Sequence, residues 1–140
     1  MKVLNRKLER NMILIGSVWQ IISGLATIFI YATYIKTKGV GREDISKVDV
    51  TSIQLLLDNV YIVTTTIGFL FIAMGLINLY IYKKTKNNVI EKGKGVWLII
   101  CSVISYFFMD IISAILFMVS GVIMLSKNKA ILKINNGLAN

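Results

Sequence analysis

Four long stretches of this chain are almost free of charge: Met12 to Tyr34, Val60 to Tyr82, Val96 to Met109 and Ile111 to Leu125, with Asp110 alone between the last two. The first two have 23 residues each. At about 1.5 Å per residue such a run reaches about 35 Å as a helix, enough for a hydrocarbon core of roughly 30 Å with some tilt. Backbone amides in lipid have no water to bond, so a spanning segment is a helix or a strand of a closed barrel. Continuous apolar runs without strict alternation exclude barrel strands. The pattern therefore predicts an all-α integral membrane protein, a bundle of four transmembrane helices in one membrane domain over residues 1–140. Lys2, Arg6, Lys7 and Arg10 give the first run a basic front. Its length and the lack of a small-x-small site at its end make it a retained anchor rather than a signal peptide.

Charge sets the orientation, because Lys and Arg accumulate on the cytoplasmic side of short connections. Four precede the first run, five lie at Lys83, Lys84, Lys86, Lys92 and Lys94, and three follow the last run at Lys127, Lys129 and Lys133. The connection after the first run holds Lys36, Lys38, Arg42 and Lys47, offset by Glu43, Asp44, Asp49 and Asp58. Four spans with both termini cytoplasmic place twelve of the sixteen positive residues inside. A single span fused from Val96 to Leu125 divides them nine to seven and buries a carboxylate near its middle, at a cost of about 2.5 to 3.5 kcal/mol. A turn at Asp110 avoids that cost and leaves two short spans of 14 and 15 residues, crossing fully or as a shallow hairpin. Asp suits a turn, and a carboxylate at membrane depth is also a candidate ion site.

The two halves of the chain match one another. Val96-Trp97-Leu98-Ile99-Ile100-Cys101 matches Val18-Trp19-Gln20-Ile21-Ile22-Ser23 at four of six positions, and Leu116, Phe117, Gly121, Ile123 and Leu125 match Leu70, Phe71, Gly75, Ile77 and Leu79. The expectation is two parallel-repeat helical hairpins related by an axis along the membrane normal.

Within lipid, helices meet through small residues and a few polar ones. In the second run Tyr61, Thr64, Gly68, Phe71, Gly75, Asn78 and Tyr82 form one stripe at alternating three- and four-residue steps; Gly16, Gln20, Gly24, Thr27 and Tyr31 do so in the first. The third run offers Ser102 and Ser105, the fourth Ser113, Ser120 and Gly121. Gly16, Gln20, Gly24, Thr64, Gly68, Gly75, Asn78 and Gly121 are the expected helix-packing or partner interface. A polar path through Gln20 and Asn78 is the competing reading. Trp19, Trp97 and the tyrosines near run ends suit the membrane interface.

Composition removes most chemistry. There is no histidine, so the commonest general base and transition-metal ligand is missing. The one cysteine, Cys101, lies inside a run and reads as a packing residue. No catalytic residue, cofactor or metal site is expected. The net charge of +9 flanks the runs, so anionic headgroups of the bilayer are the expected partner rather than nucleic acid. A membrane-protein partner or a second copy of the chain is the other expected contact. Ile35 to Asn59 is the outer loop, with Gly39 and Gly41 near its start and a helix capped by Thr51 or Ser52 in its second half. Ser126 to Asn140 reads as a cytoplasmic tail, a short fraying helix end.

The last third has Lys94-Gly95, the run Leu98 to Ile100, a Ser-rich turn region and Ser120 to Leu125 before Lys127. It resembles small four-span membrane proteins of Gram-positive Firmicutes that carry a domain of unknown function. The resemblance implies the four-helix membrane fold and brings no activity with it. Three roles stay open: an accessory or scaffold subunit packing against a membrane partner, a bacteriocin or toxin immunity protein, and a small transporter, channel or holin. The small multidrug pumps need a carboxylate in the first span, where this chain has Gln20.

Overall fold

The computed structural model describes residues 5–38, 47–87 and 89–137, with side chains described over 5–30, 33–34, 37, 55–87 and 89–134. Every regular element among them is helical. Helix α1, Lys7–Ala26, continues through a π-helical stretch, Thr27–Ala32, into α2, Thr33–Lys38; α3 is Lys47–Lys84, α4 is Lys92–Phe107 and α5 is Ile111–Gly137. Three stretches are long and apolar enough to cross a membrane: Lys7–Ile30, Leu55–Lys84 and Ile111–Ile134. Helix α4 has 16 residues, about 24 Å of rise, and falls short of them.

The helices outrun the apolar runs. Helix α3 is already under way at Lys47, ahead of the expected caps at Thr51 and Ser52. The fourth run is not a short helix, because α5 continues from Leu125 through the expected tail to Gly137. Hydropathy marks where the surroundings turn polar. It does not mark where backbone hydrogen bonding stops. Of the expected outer loop, 39–46 lies outside the described residues and the flanking residues are helical.

By its contacts the chain divides into two units, one of residues 1–20 and 74–140, the other of residues 21–73. In the first, Ile13, Met74, Ile81, Leu98, Cys101, Phe117 and Met124 form the core, with Tyr82, Trp97 and Ile104 packed on it. Helices α4 and α5 make an antiparallel hairpin there. A Cβ on Gly121 would lie 2.9 Å from the Gly95 carbonyl, and one on Gly95 would meet Leu125 at 2.9 Å. Further along, the Ser102 hydroxyl donates to the Ala114 carbonyl at 2.7 Å.

The hairpin turn is a Schellman motif. Asp110 N–H donates to the Ser105 carbonyl at 2.9 Å and Met109 N–H to the Tyr106 carbonyl at 3.0 Å, satisfying carbonyls left over at the end of α4. Met109 takes the left-handed position usually given to glycine, at φ 61°. Asp110 then caps α5: its carbonyl accepts Ala114 N–H at 3.0 Å and its Oδ1 accepts Ser113 N–H at 3.4 Å.

In the second unit α1 and α3 approach closely at two glycines. A Cβ on Gly24 would stand 2.7 Å from the Gly68 carbonyl, and a Cβ on Gly68 would stand 2.9 Å from the Gly24 carbonyl. The π-helical stretch alters the stripe proposed for the first run. Past Ala26 the backbone no longer advances by 3.6 residues per turn, so the three-and-four spacing describes a single helix face only up to that residue.

Candidate functional site

Gln20 of α1 and Asn78 of α3 are fully buried in the first unit, as is Ser105 of α4. Each is a side chain that cannot be left unbonded away from water without a cost of about 1 to 3 kcal/mol. They solve this together. Gln20 Nε2 donates to Ser105 Oγ at 3.1 Å, and Asn78 Nδ2 donates to Gln20 Oε1 at 3.4 Å. Asn78 Oδ1 accepts the Trp97 indole N–H at 3.1 Å and faces the Cys101 thiol at 3.8 Å. One amide pair thus links three helices.

Gly16 and Gly121 lie in the same unit at close helix approaches. A Cβ on Gly16 would meet the Phe117 ring at 2.8 Å, and one on Gly121 would meet Ile99 at 2.9 Å. Gly75 is buried and Thr64 half-buried on α3. Gly24 and Gly68 meet each other in the second unit. Asp110 is buried; its Oδ1 accepts the Trp19 indole N–H at 3.2 Å, and its Oδ2 is buried without a hydrogen-bond partner. Trp19 is therefore bonded to the turn.

A second polar cluster occupies the other end of the unit, and the reading of the sequence did not anticipate it. Arg6 and Glu9 are both fully buried. Arg6 Nη2 donates to the Val89 carbonyl at 2.8 Å and to Asn128 Oδ1 at 2.5 Å, while Arg6 N–H donates to Asn87 Oδ1 at 3.1 Å. Asn128 Oδ1 also accepts Glu91 N–H at 3.1 Å. Lys127 Nζ pairs with Glu9 Oε2 at 2.8 Å and donates to the Asn5 carbonyl at 2.7 Å. Lys94 Nζ pairs with Glu91 at 2.6 Å and donates to the Lys84 carbonyl, also at 2.6 Å, closing the end of α3. The signal was available in the spacing. Arg6, Glu9, Ile13, Gly16 and Gln20 continue one stripe at three- and four-residue steps.

An apolar groove of about 430 Å³ runs along α4 and α5 past Val103, Tyr106, Ile111, Ile115 and Met118. Of its two hydroxyls, that of Ser102 is spent on the Ala114 carbonyl and the other is the phenol of Tyr106. Among the described residues no three His, Cys, Asp or Glu side chains cluster as metal ligands. No protein-family model, curated protein or solved structure matches the chain.

Proposed function

We propose that the chain is a non-catalytic integral membrane protein of a bacterial cytoplasmic membrane, an accessory or scaffold subunit that packs against a membrane partner. On this reading all four apolar runs lie in the bilayer, the fold that the Firmicute resemblance implies, and both termini are cytoplasmic. The observation that carries it is the closure of the Gln20–Asn78–Ser105–Trp97 network. Its amides are spent on one another, so they rigidify a helix junction instead of offering donors and acceptors to a passing solute. The placement of positive residues supports the orientation.

The duplication belongs to the same proposal. Aligned as the sequence matches require, Gly24 corresponds to Ser102 and Gly68 to Ala114. Both pairs are close contacts between two helices: Gly24 against the Gly68 carbonyl, and Ser102 against the Ala114 carbonyl. Two hairpins crossing at corresponding positions are what a repeated unit would give.

The test is purification in mild detergent after crosslinking in cells, followed by identification of what is bound. A membrane protein recovered in stoichiometric amount supports the proposal. Recovery of the chain alone, together with solute flux through liposomes containing it, would replace the scaffold role with a transport role. Impermeant labelling of cysteines placed at Lys2 and Asn140 checks the orientation, since labelling of either in intact cells contradicts it.

A further inference from the structure

At the outer edge of the Arg6 cluster lies a cavity of about 310 Å³, lined by Asn5, Lys7, Arg10, Asn11, Tyr82 and Asn87. The volume stands at the lower end of the roughly 300 to 1,000 Å³ of small-molecule sites. We propose that this cavity binds a phosphate group, either free or as the headgroup of an anionic lipid. The inference rests on the membrane reading above only for the lipid form of the ligand.

Lys7, Arg10 and Asn11 stand at positions i, i+3 and i+4 of α1 and so share a face. Among the described residues no carboxylate lines the cavity, and the acids nearest in sequence are engaged elsewhere, Glu9 with Lys127 and Glu91 with Lys94. Its lining therefore brings two positive groups and, among the described residues, no negative one. The carboxamides add to this. Asn5 Oδ1 accepts Lys7 N–H at 2.9 Å and Asn87 Oδ1 accepts Arg6 N–H at 3.1 Å. Backbone N–H groups can be met only by the amide oxygens, which fixes both flips and leaves the NH₂ groups as what these side chains have to give.

Arg10 is held ready. Its guanidinium lies over the Tyr82 ring, 5.1 Å from the centroid, and its Nε is buried without a hydrogen-bond partner. A planar fork with an unmet donor, an ammonium and two NH₂ groups around one cavity match the several acceptor oxygens of a phosphate. A cation or a neutral apolar ligand would meet like charge or lose these donors.

The experiment uses the full chain in neutral detergent and two probes, inorganic phosphate by calorimetry and phosphatidylglycerol by native mass spectrometry. The variants are Lys7→Gln and Asn11→Asp, both at exposed positions, with Lys133→Gln on α5 as the charge control. At least one probe should bind, weakened roughly tenfold by each cavity variant and left unchanged by the control. Binding of inorganic phosphate identifies a free anion as sufficient. Retention of phosphatidylglycerol alone identifies the lipid headgroup. If neither probe binds the unaltered chain, or if Asn11→Asp binds as well as it does, the proposal is overturned. Flotation with vesicles of phosphatidylcholine alone reports on the membrane reading separately, because insertion into a bilayer without net charge needs no occupied phosphate site.

Discussion

Arg6 Nη2 donates to Asn128 Oδ1 at 2.5 Å, joining the first residues of the described chain to the C-terminal half of α5. The same oxygen accepts Glu91 N–H, so one carboxamide serves a buried guanidinium and the residue ahead of α4. Asn128→Leu keeps the volume roughly and removes the acceptor from both. Hydrogen bonds to charged groups are worth about 1.5 to 3 kcal/mol, and the loss should appear at that size. Thermal unfolding in detergent measures it, against the exposed Lys129→Ala, which should move stability by less than about 0.5 kcal/mol. Equal unfolding of the two variants would show that the Arg6 clamp contributes nothing.

The glycines make a paired prediction with opposite signs. Gly24→Ala places a methyl 2.7 Å from the Gly68 carbonyl and should cost about 1 to 3 kcal/mol as the helices move apart. Gly93→Ala meets nothing within 4 Å near the start of α4 and should be neutral or stabilising by about 0.5 to 1 kcal/mol. Unfolding curves for both, measured in one detergent, decide whether close approach or helix propensity governs these sites.

A double-mutant cycle on Gln20→Leu and Asn78→Leu tests the amide junction. Coupling between hydrogen-bonded side chains in membrane helices averages about 0.6 kcal/mol and reaches about 1.7. A coupling in that range is expected, with a shift of Trp97 fluorescence in the Asn78 variant because the indole loses its acceptor. Strict additivity and unchanged emission would mean that the two amides act independently.

The turn between α4 and α5 separates a capping role from an ionic one for Asp110. Asp110→Asn keeps the Oδ1 acceptor and should unfold like the unaltered chain; Asp110→Ala loses the cap on Ser113 N–H and the Trp19 bond, costing about 1 to 2 kcal/mol. Met109→Gly relieves the left-handed strain of a side chain at φ 61° and should stabilise by about 1 kcal/mol. A large loss in Asp110→Asn would instead mark the negative charge as the essential property.

The apolar runs were legible because hydropathy over about twenty residues reports directly on the surroundings of a helix. The amide pair was legible too, since Gln20 and Asn78 interrupt otherwise apolar faces. Arg6 and Glu9 were not, because charges ahead of a hydrophobic run read as orientation signals at a surface. Their burial depends on Lys127 and Asn128, more than a hundred residues away, and no local pattern contains that information. The helix ends were legible in part: a helix was expected from Thr51 or Ser52 and α3 begins at Lys47, and the tail expected as a short helix end is helical to Gly137, because polar residues at a helix end do not mark where its backbone bonding stops.

The π-helical stretch Thr27–Ala32 has a consequence for insertions and deletions. A wide turn of this kind accommodates one residue more than a regular coil of the same height, as a surplus absorbed without a break. Deleting a single residue there should let the backbone relax to ordinary α geometry while Thr33 to Lys38 keep nearly the orientation they already have, whereas the same deletion in the regular part of α1 would swing everything after it by about 100° around the axis. The stretch is thus a place where this chain can change length by one while Gly24 upstream keeps its seat and the exit helix keeps its direction.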